Sequence, residues 1–522
     1  MDETGERGVA RAAALVMAAF AVSRLLGLVR QIVFGAFFGT GPEMDAYVAA
    51  VRVPEALFLI VAGGALASAF LPLFVQRLTE DRKEAAWRLA SAVITWLLVL
   101  LLPVSLLAMV VSPWLVRTLL APALPVAVQA RTVDVMRVML LTPAIFSVSG
   151  LVMGILNAHR HFLLPALAPI IYNVGLIVGG IVGGTTQLGA MGPALGMVVG
   201  AVGHFGVQLP GLLRYGARYW PTLGWGDPGV RDVGRLLGPR TLGMAAAQIN
   251  MIVINNLASR QGPGAISALE YAWRIMLLPQ GVFAQAVGTA VFPTFSAQAA
   301  QGDTEALRRT LNRALGMLVA LTIPASVGLV ALGEPLVSLA FERGAFDAGS
   351  TQAVAAALSF FALGLVGHSA LEVLGRAYYA LQDTWTPAIA AVIAVVLNGV
   401  LGLVFPPLFS ALRLLPLAGL ALATAVAALL EMVLLMVWLR RRLGSVEWVG
   451  LGRTAGRVLL SASGMGLVLA LWREWGPQHV LWQAGGGVLL GAATYGSLAL
   501  LLGVEPVRDA LWAGWRRLRH EA

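Results

Sequence analysis

The chain has 522 residues, 58% of them hydrophobic and only 12% charged, with a mean hydropathy of +0.82. That balance excludes a soluble globular protein, whose surface at this length needs far more charge. The formal net charge of +10 does not point to nucleic acid, because the basic residues lie in short segments between apolar runs, and the lack of cysteine excludes disulfides and thiolate metal sites.

The chain opens on MDETGERG, which has no basic n-region, and the apolar run after it has no small-residue cleavage site. No cleaved signal peptide is expected. A helix needs about 20 mostly apolar residues to cross a bilayer. Fourteen stretches qualify: 10–38, 46–75, 86–112, 133–157, 164–184, 190–213, 241–259, 265–297, 311–333, 351–375, 385–407, 414–439, 455–472 and 480–503. The expected fold is therefore all-α, a polytopic membrane protein with 14 transmembrane helices. An even number puts both termini on one side. Twenty-five basic residues fall in the termini, loops and adjoining span ends of that side, against six in the opposite loops. By the positive-inside rule both termini are expected in the cytoplasm. The tail, VRDALWAGWRRLRHEA, sets Trp512 and Trp515 among basic residues. It reads either as an inner-leaflet anchor or as a solvated tail.

An internal repeat runs through spans 1–12. An offset of 221 residues relates Pro103 to Pro324, Ser105 to Ser326, Glu84 to Glu305, Arg88 to Arg309, Pro72 to Pro293 and Gly154 to Gly375. A constant offset across several spans predicts two duplicated six-helix bundles, 1–220 and 221–442. Residues 443–522, with two extra helices and the basic tail, stand outside the duplication. Six helices per half means that both halves insert the same way, an arrangement of transporters with a substrate site near mid-membrane.

Arg24, Arg30, Arg52 and Arg274 lie inside apolar spans, where a charge costs at least a few kcal/mol by insertion scales unless it is paired or faces water. Arg24 and Arg30 are six apart, about 120° around a helix, and Gly27 between them predicts a kink that lets both face one broad cavity. Arg52 and Glu55 are three apart on one helix face, with Pro54 marking an expected bend. Glu270 and Arg274 are four apart. Internal pairing to Glu55 and Glu270 would make these charges structural. Against that, the arginines outnumber the nearby acids, and guanidinium forks suit phosphate oxygens. An anionic, phosphorylated substrate is expected. Glu372 and Glu431 read as lone intramembrane acids, Asp383 as a helix cap, and His159 and His161 as a solvated or headgroup-facing cluster. No HExxH, Walker loop, GxSxG or carboxylate dyad occurs in the sequence, so no enzymatic activity and no ATP-driven step is expected.

Six segments carry a resemblance: SRLLGLVR at 23–30, MDAYVAAVRVPEAL at 44–57, GGALASAFLPLF at 63–74, EYAWRIMLLPQGVFAQAVGTAVFPTFS at 270–296, FERGAFD at 341–347 and YYALQDTWTP at 378–387. Together they are similar to the MurJ/MviN lipid II flippases, of the multidrug/oligosaccharidyl-lipid/polysaccharide exporter superfamily, over most of spans 1–12. The resemblance implies alternating-access movement of an undecaprenyl-pyrophosphate-linked peptidoglycan precursor from the inner to the outer leaflet of a bacterial inner membrane. It implies that Arg24, Arg30, Arg52 and Arg274, with Glu55 and Glu270, form the substrate site, and that the two extra helices serve the lipid tail. Partners would be the lipid-linked anionic substrate and membrane lipids, with the protein a monomer. No cofactor is implied, but coupling to sodium, protons or membrane potential is, with Asp383 as a candidate sodium ligand.

The chain departs from the family pattern at Gln31, at Phe58 and Leu59, at Trp273 and at Tyr379. A flippase for another polyprenyl-diphosphate glycan is the second reading, and a non-transporting scaffold the third.

Overall fold

A computed structural model of the chain describes residues 3–62, 65–444 and 448–509. Side chains at 3–15, 62, 65–69, 236–243, 448–449 and 451 are not described, and the tail with Trp512 and Trp515 falls outside the described residues. The fold is all-α and polytopic, with no β-strand among the described residues. Among the described residues, eleven helices are long and apolar enough to cross a membrane, or up to twelve if a bent pair counts as one. A helix that carries several ionisable groups escapes any test of apolarity. The helix over the second expected span, Pro42–Ala62, holds Glu43, Asp45, Arg52 and Glu55.

The chain forms two compact units. Unit 1 covers residues 1–266 and takes in a short segment, 343–346. Its helices are α1 (Glu3–Phe38), α2 (Pro42–Ala62), α3 (Ala65–Thr79), α4 (Lys83–Leu115), α5 (Val126–Met139), α6 (Thr142–Ala158), α7 (Leu163–Thr185), α8 (Met191–Gly206), α9 (Leu209–Arg214) and α10 (Pro228–Ser259). The packing boundary lies beyond the repeat boundary because α10, on the seventh expected span, packs on α2 and α3.

Glycine spacing builds the α7–α8 hairpin. Gly175, Gly179 and Gly183 meet Gly192, Gly196 and Gly200, and a Cβ added to Gly179 would come within 2.5 Å of the Gly192 carbonyl oxygen. Backbones this close gain dispersion that lipid cannot replace. On another face of α7, Gly180 and Gly184 receive the Phe34 and Phe37 rings of α1. Gly27 neither breaks nor bends α1 out of helix, and Pro54 stays inside a continuous α2. Surrounding helices and local adjustment hold the freed backbone groups in such spans. The segment 343–346 docks where α1 ends: Ala345 donates its N–H to the Ala36 carbonyl at 2.8 Å, and Gly344, at φ +62°, has no Cβ to strike that carbonyl.

Unit 2 covers 267–342 and 347–522. Its helices are α11 (Ala265–Ala300), α12 (Thr304–Phe341), α13 (Ala348–Leu363), α14 (Leu365–Ala380), α15 (Trp385–Ala411), α16 (Pro416–Leu443), α17 (Trp448–Trp475) and α18 (Gly487–Leu501), the last preceded by a π-helical turn, Trp482–Gly486. The helices α13 and α14 meet at a 48° bend at Gly364, where a Cβ would meet Ala425 of α16 at 2.7 Å. The start of α12 repeats that of α4 at the 221 offset, and each carries an i,i+4 ion pair, Arg88–Glu84 at 2.7 Å and Arg309–Glu305 at 3.6 Å. Both prolines, Pro103 and Pro324, sit inside those helices, and Ser105 and Ser326 are buried.

The two extra helices are integral to unit 2. Leu332 of α12 is buried with Met465 and Leu469 of α17, and Ala320 with Val458, Ala499 and Val504. The Tyr495 hydroxyl donates to the Ala320 carbonyl at 2.6 Å.

Candidate functional site

In unit 1 the arginines expected at the substrate site sit on α1 and α2. Arg24 is exposed on α1 and Arg30 is half-buried. The Arg30 guanidinium donates to the Asn173 side-chain oxygen on α7 at 3.1 Å, and the Asn173 amide nitrogen donates to the Pro169 carbonyl at 2.9 Å. Asn173 is thus held by its own helix with its acceptor turned to the cation. Sequence reasoning missed it, although an asparagine within the apolar run 164–184 was the available signal. Arg52 and Glu55 pair loosely at 3.8 Å, with the arginine side chain 11% exposed and the carboxylate 42%. The more exposed partner is the acid, so the arginine is the desolvated one.

In unit 2 Arg274 and Glu270 pair at 2.5 Å, and here the order reverses: Glu270 is 7% exposed and Arg274 42%. The buried acid is held by a cation that is itself partly exposed. Within each unit the structure therefore brings together the i,i+3 or i,i+4 pairs read from the sequence.

Two of the departures from the family pattern, Phe58 and Trp273, pack against aromatic rings. Phe58 packs on Phe146 with centroids 5.7 Å apart, and Trp273 sits edge-on to Phe361 and His368 at 5.4 and 5.1 Å.

Other expectations are corrected. Glu372 is not a lone acid, because Arg376, one turn on, donates to it at 2.7 Å. His159 is not solvated: its ring stacks on Tyr215 at 4.3 Å and faces Trp87. That burial disfavours the charged imidazole and lowers its pKa.

Asp383 serves the start of α15. One carboxylate oxygen accepts the Trp385 and Thr386 amides at 3.1 and 3.0 Å, and the other accepts the Thr386 hydroxyl at 2.5 Å and faces Arg442 at 2.8 Å. Burial opposes ionisation, but these hydrogen bonds and the Arg442 charge outweigh it and hold the carboxyl below its usual range. Both oxygens are engaged, one in capping α15 and the other with the Thr386 hydroxyl and Arg442. No cluster of three or more His, Asp or Glu side chains that could hold a metal occurs among the described residues.

The family model described as "Lipid II flippase MurJ" matches residues 34–483. A lipid II flippase MurJ of Burkholderia cenocepacia is 30% identical over 470 residues, covering 87% of each chain. A Bdellovibrio bacteriovorus protein, named probable lipid II flippase MurJ, is 32% identical over 523 residues, covering 96% of each. Among solved structures, a lipid II flippase MurJ in an inward closed conformation superposes with a TM-score of 0.78 at 27% identity, covering 95% of this chain and all of that one. An inward-facing multidrug transporter of the MATE family shares the fold at TM-score 0.66 and 18% identity, covering 84% of this chain and 99% of that one. With α7–α8 glycine packing, intramembrane arginines and a match over most of its length, the chain belongs to the lipid II flippase MurJ family.

Proposed function

We propose that this protein is a lipid II flippase of a bacterial inner membrane, moving the undecaprenyl-pyrophosphate-linked precursor from inner to outer leaflet by alternating access. The observation that carries this reading is the match to the lipid II flippase family over most of the chain, with arginines set inside its apolar helices. Arg30 donates to the Asn173 side-chain oxygen, and Arg274 pairs with the buried Glu270 while itself 42% exposed. Arginines so placed supply charge-assisted forks to a pyrophosphate in a low-dielectric setting, where such bonds gain strength.

Arg24, Arg30, Arg52 and Arg274 are the proposed substrate contacts, with Glu55 and Glu270 as their orienting partners. Binding and orientation need no catalytic group, so the activity is transport rather than catalysis. The driving force proposed is a cation gradient or the membrane potential, with a monomer as the working unit and both termini in the cytoplasm. Membrane lipids are the only other partner proposed.

Replacement of the native flippase in a depleted bacterium tests this reading: growth and normal cell shape are expected. Failure to support growth by well-inserted protein, together with transport of another undecaprenyl-pyrophosphate glycan in reconstituted vesicles, would favour the second reading.

A further inference from the structure

The segment joining α9 to α10 does not hang free of unit 1. It is tied along α4 by a ladder of side-chain bonds. The Trp220 amide donates to the Ser91 hydroxyl at 3.2 Å, Tyr219 and Thr95 hydroxyls meet at 3.0 Å, and the Trp96 indole donates to the Leu223 carbonyl at 2.9 Å. Gly224, at φ +59°, presses onto α4, since a Cβ there would lie 2.9 Å from Ala92. Arg77 then fixes Asp227 with two bonds of 2.7 and 2.5 Å.

This strap roofs a cavity of about 540 Å³ whose inner wall is apolar, with Val93, Leu97, Leu100 and Val230 among its residues. Trp96 and Trp225 close one side, edge to face at 5.0 Å, with Trp225 73% exposed. Arg231 lines the rim, exposed, and Arg235 follows one turn along the same face of α10. The acid that also lines the rim, Asp227, is committed to Arg77. Apolar depth, a tryptophan pair and a basic rim match a phospholipid, whose acyl chain, glycerol region and phosphate need those three surfaces in that order. The cavity shares no lining residue with the arginines of α1, α2 and α11.

We propose that this cavity binds an anionic membrane phospholipid, with one acyl chain beneath the strap and the phosphate at Arg231. The site lies toward the arginine-rich side of the chain, which the charge bias places in the inner leaflet.

The whole chain can be reconstituted in phosphatidylcholine vesicles containing a few per cent of phosphatidylglycerol bearing a photoactivatable acyl chain. Adducts are then located by peptide mass spectrometry. Labelling should concentrate in 93–100 and 223–234, severalfold above other lipid-facing segments. Gly234 lines the cavity, and a Cβ there meets nothing within 4 Å. Gly234→Phe should therefore fill the space without disturbing the fold and cut that labelling severalfold, leaving other segments unchanged. Arg231→Gln should equalise labelling by the phosphatidylglycerol and phosphatidylcholine probes. Labelling that ignores Gly234→Phe, or that shows no headgroup preference in the parent protein, overturns the proposal. Loss of labelling on adding stoichiometric undecaprenyl pyrophosphate would assign the cavity to a polyprenyl tail and overturn it too.

Discussion

The Arg30 guanidinium on α1 donates to the Asn173 side-chain oxygen on α7 at 3.1 Å, across 143 residues of sequence. The Asn173 amide, itself anchored to the Pro169 carbonyl, helps to orient the guanidinium. Arg30→Ala should abolish complementation while the protein still inserts. Asn173→Ala, which leaves the charge but frees its orientation, should slow transport about 10-fold, the worth of one hydrogen bond to a charged group. Normal transport in both variants, measured in vesicles, would remove Arg30 from the substrate site.

The Arg274–Glu270 pair separates a structural role from a functional one. Arg274→Gln takes a partner from a carboxylate that is 7% exposed. It should lower stability by about 1–3 kcal/mol and also stop transport. The double variant Arg274→Gln/Glu270→Gln should recover the melting temperature but not growth. If growth returns with stability, Arg274 only braces α11.

The glycine faces of α7 and α8 set a steric limit. A Cβ on Gly196 would meet the Gly175 carbonyl oxygen at 2.4 Å, backbone that cannot move aside. Gly196→Val should destabilise by about 1–3 kcal/mol through overpacking, visible as earlier thermal aggregation in size-exclusion profiles. Gly150, where nothing lies within 4 Å, should accept Ala with little change.

The strap should be pH-sensitive through Asp227. Its hydrogen bond to Arg77 is the main reason that its pKa falls below the ordinary 3.8. A depressed folded value means that the stabilisation is present above pH 3.8 and is lost as pH falls through the folded value. Proteolysis within 216–227 should therefore stay slow down to about pH 4 and rise below it. Asp227→Asn, which loses the charge and weakens the cap on the Gly229 amide, should give the same fast cleavage at pH 7.

The glycines of the two extra helices differ in whether they can report on a tail groove. Gly466 and Gly486 are already packed, with Val327 and Trp472 at 3.0 and 2.9 Å from an added Cβ, so tryptophan at either tests packing. Gly485 has nothing within 4 Å. Gly485→Trp should leave folding intact and slow movement of a long-chain substrate severalfold. Deleting residues from 455 onward should expose Ala320 and Leu332 and cost expression, since α17 completes the packing of α12.

Length, apolar runs and charge bias by themselves determined a polytopic helical membrane protein, because lipid forces each span to satisfy its own backbone. The 221-residue repeat was equally legible, since helix starts and i,i+4 pairs are local. So were Arg52–Glu55 and Arg274–Glu270, whose spacing alone places them on one helix face. Tertiary structure decided the rest. Asn173 became the partner of Arg30 only when α7 met α1, whereas the Glu372–Arg376 pair, four residues apart on one helix, was as legible from its spacing as the other two. The packing boundary moved past α10 because burial follows the surface a helix meets, not the ancestry of its sequence. The strap over α4 was invisible in its own loop sequence: its anchors, Ser91, Thr95 and Trp96, lie more than 120 residues away, a distance that no local pattern spans.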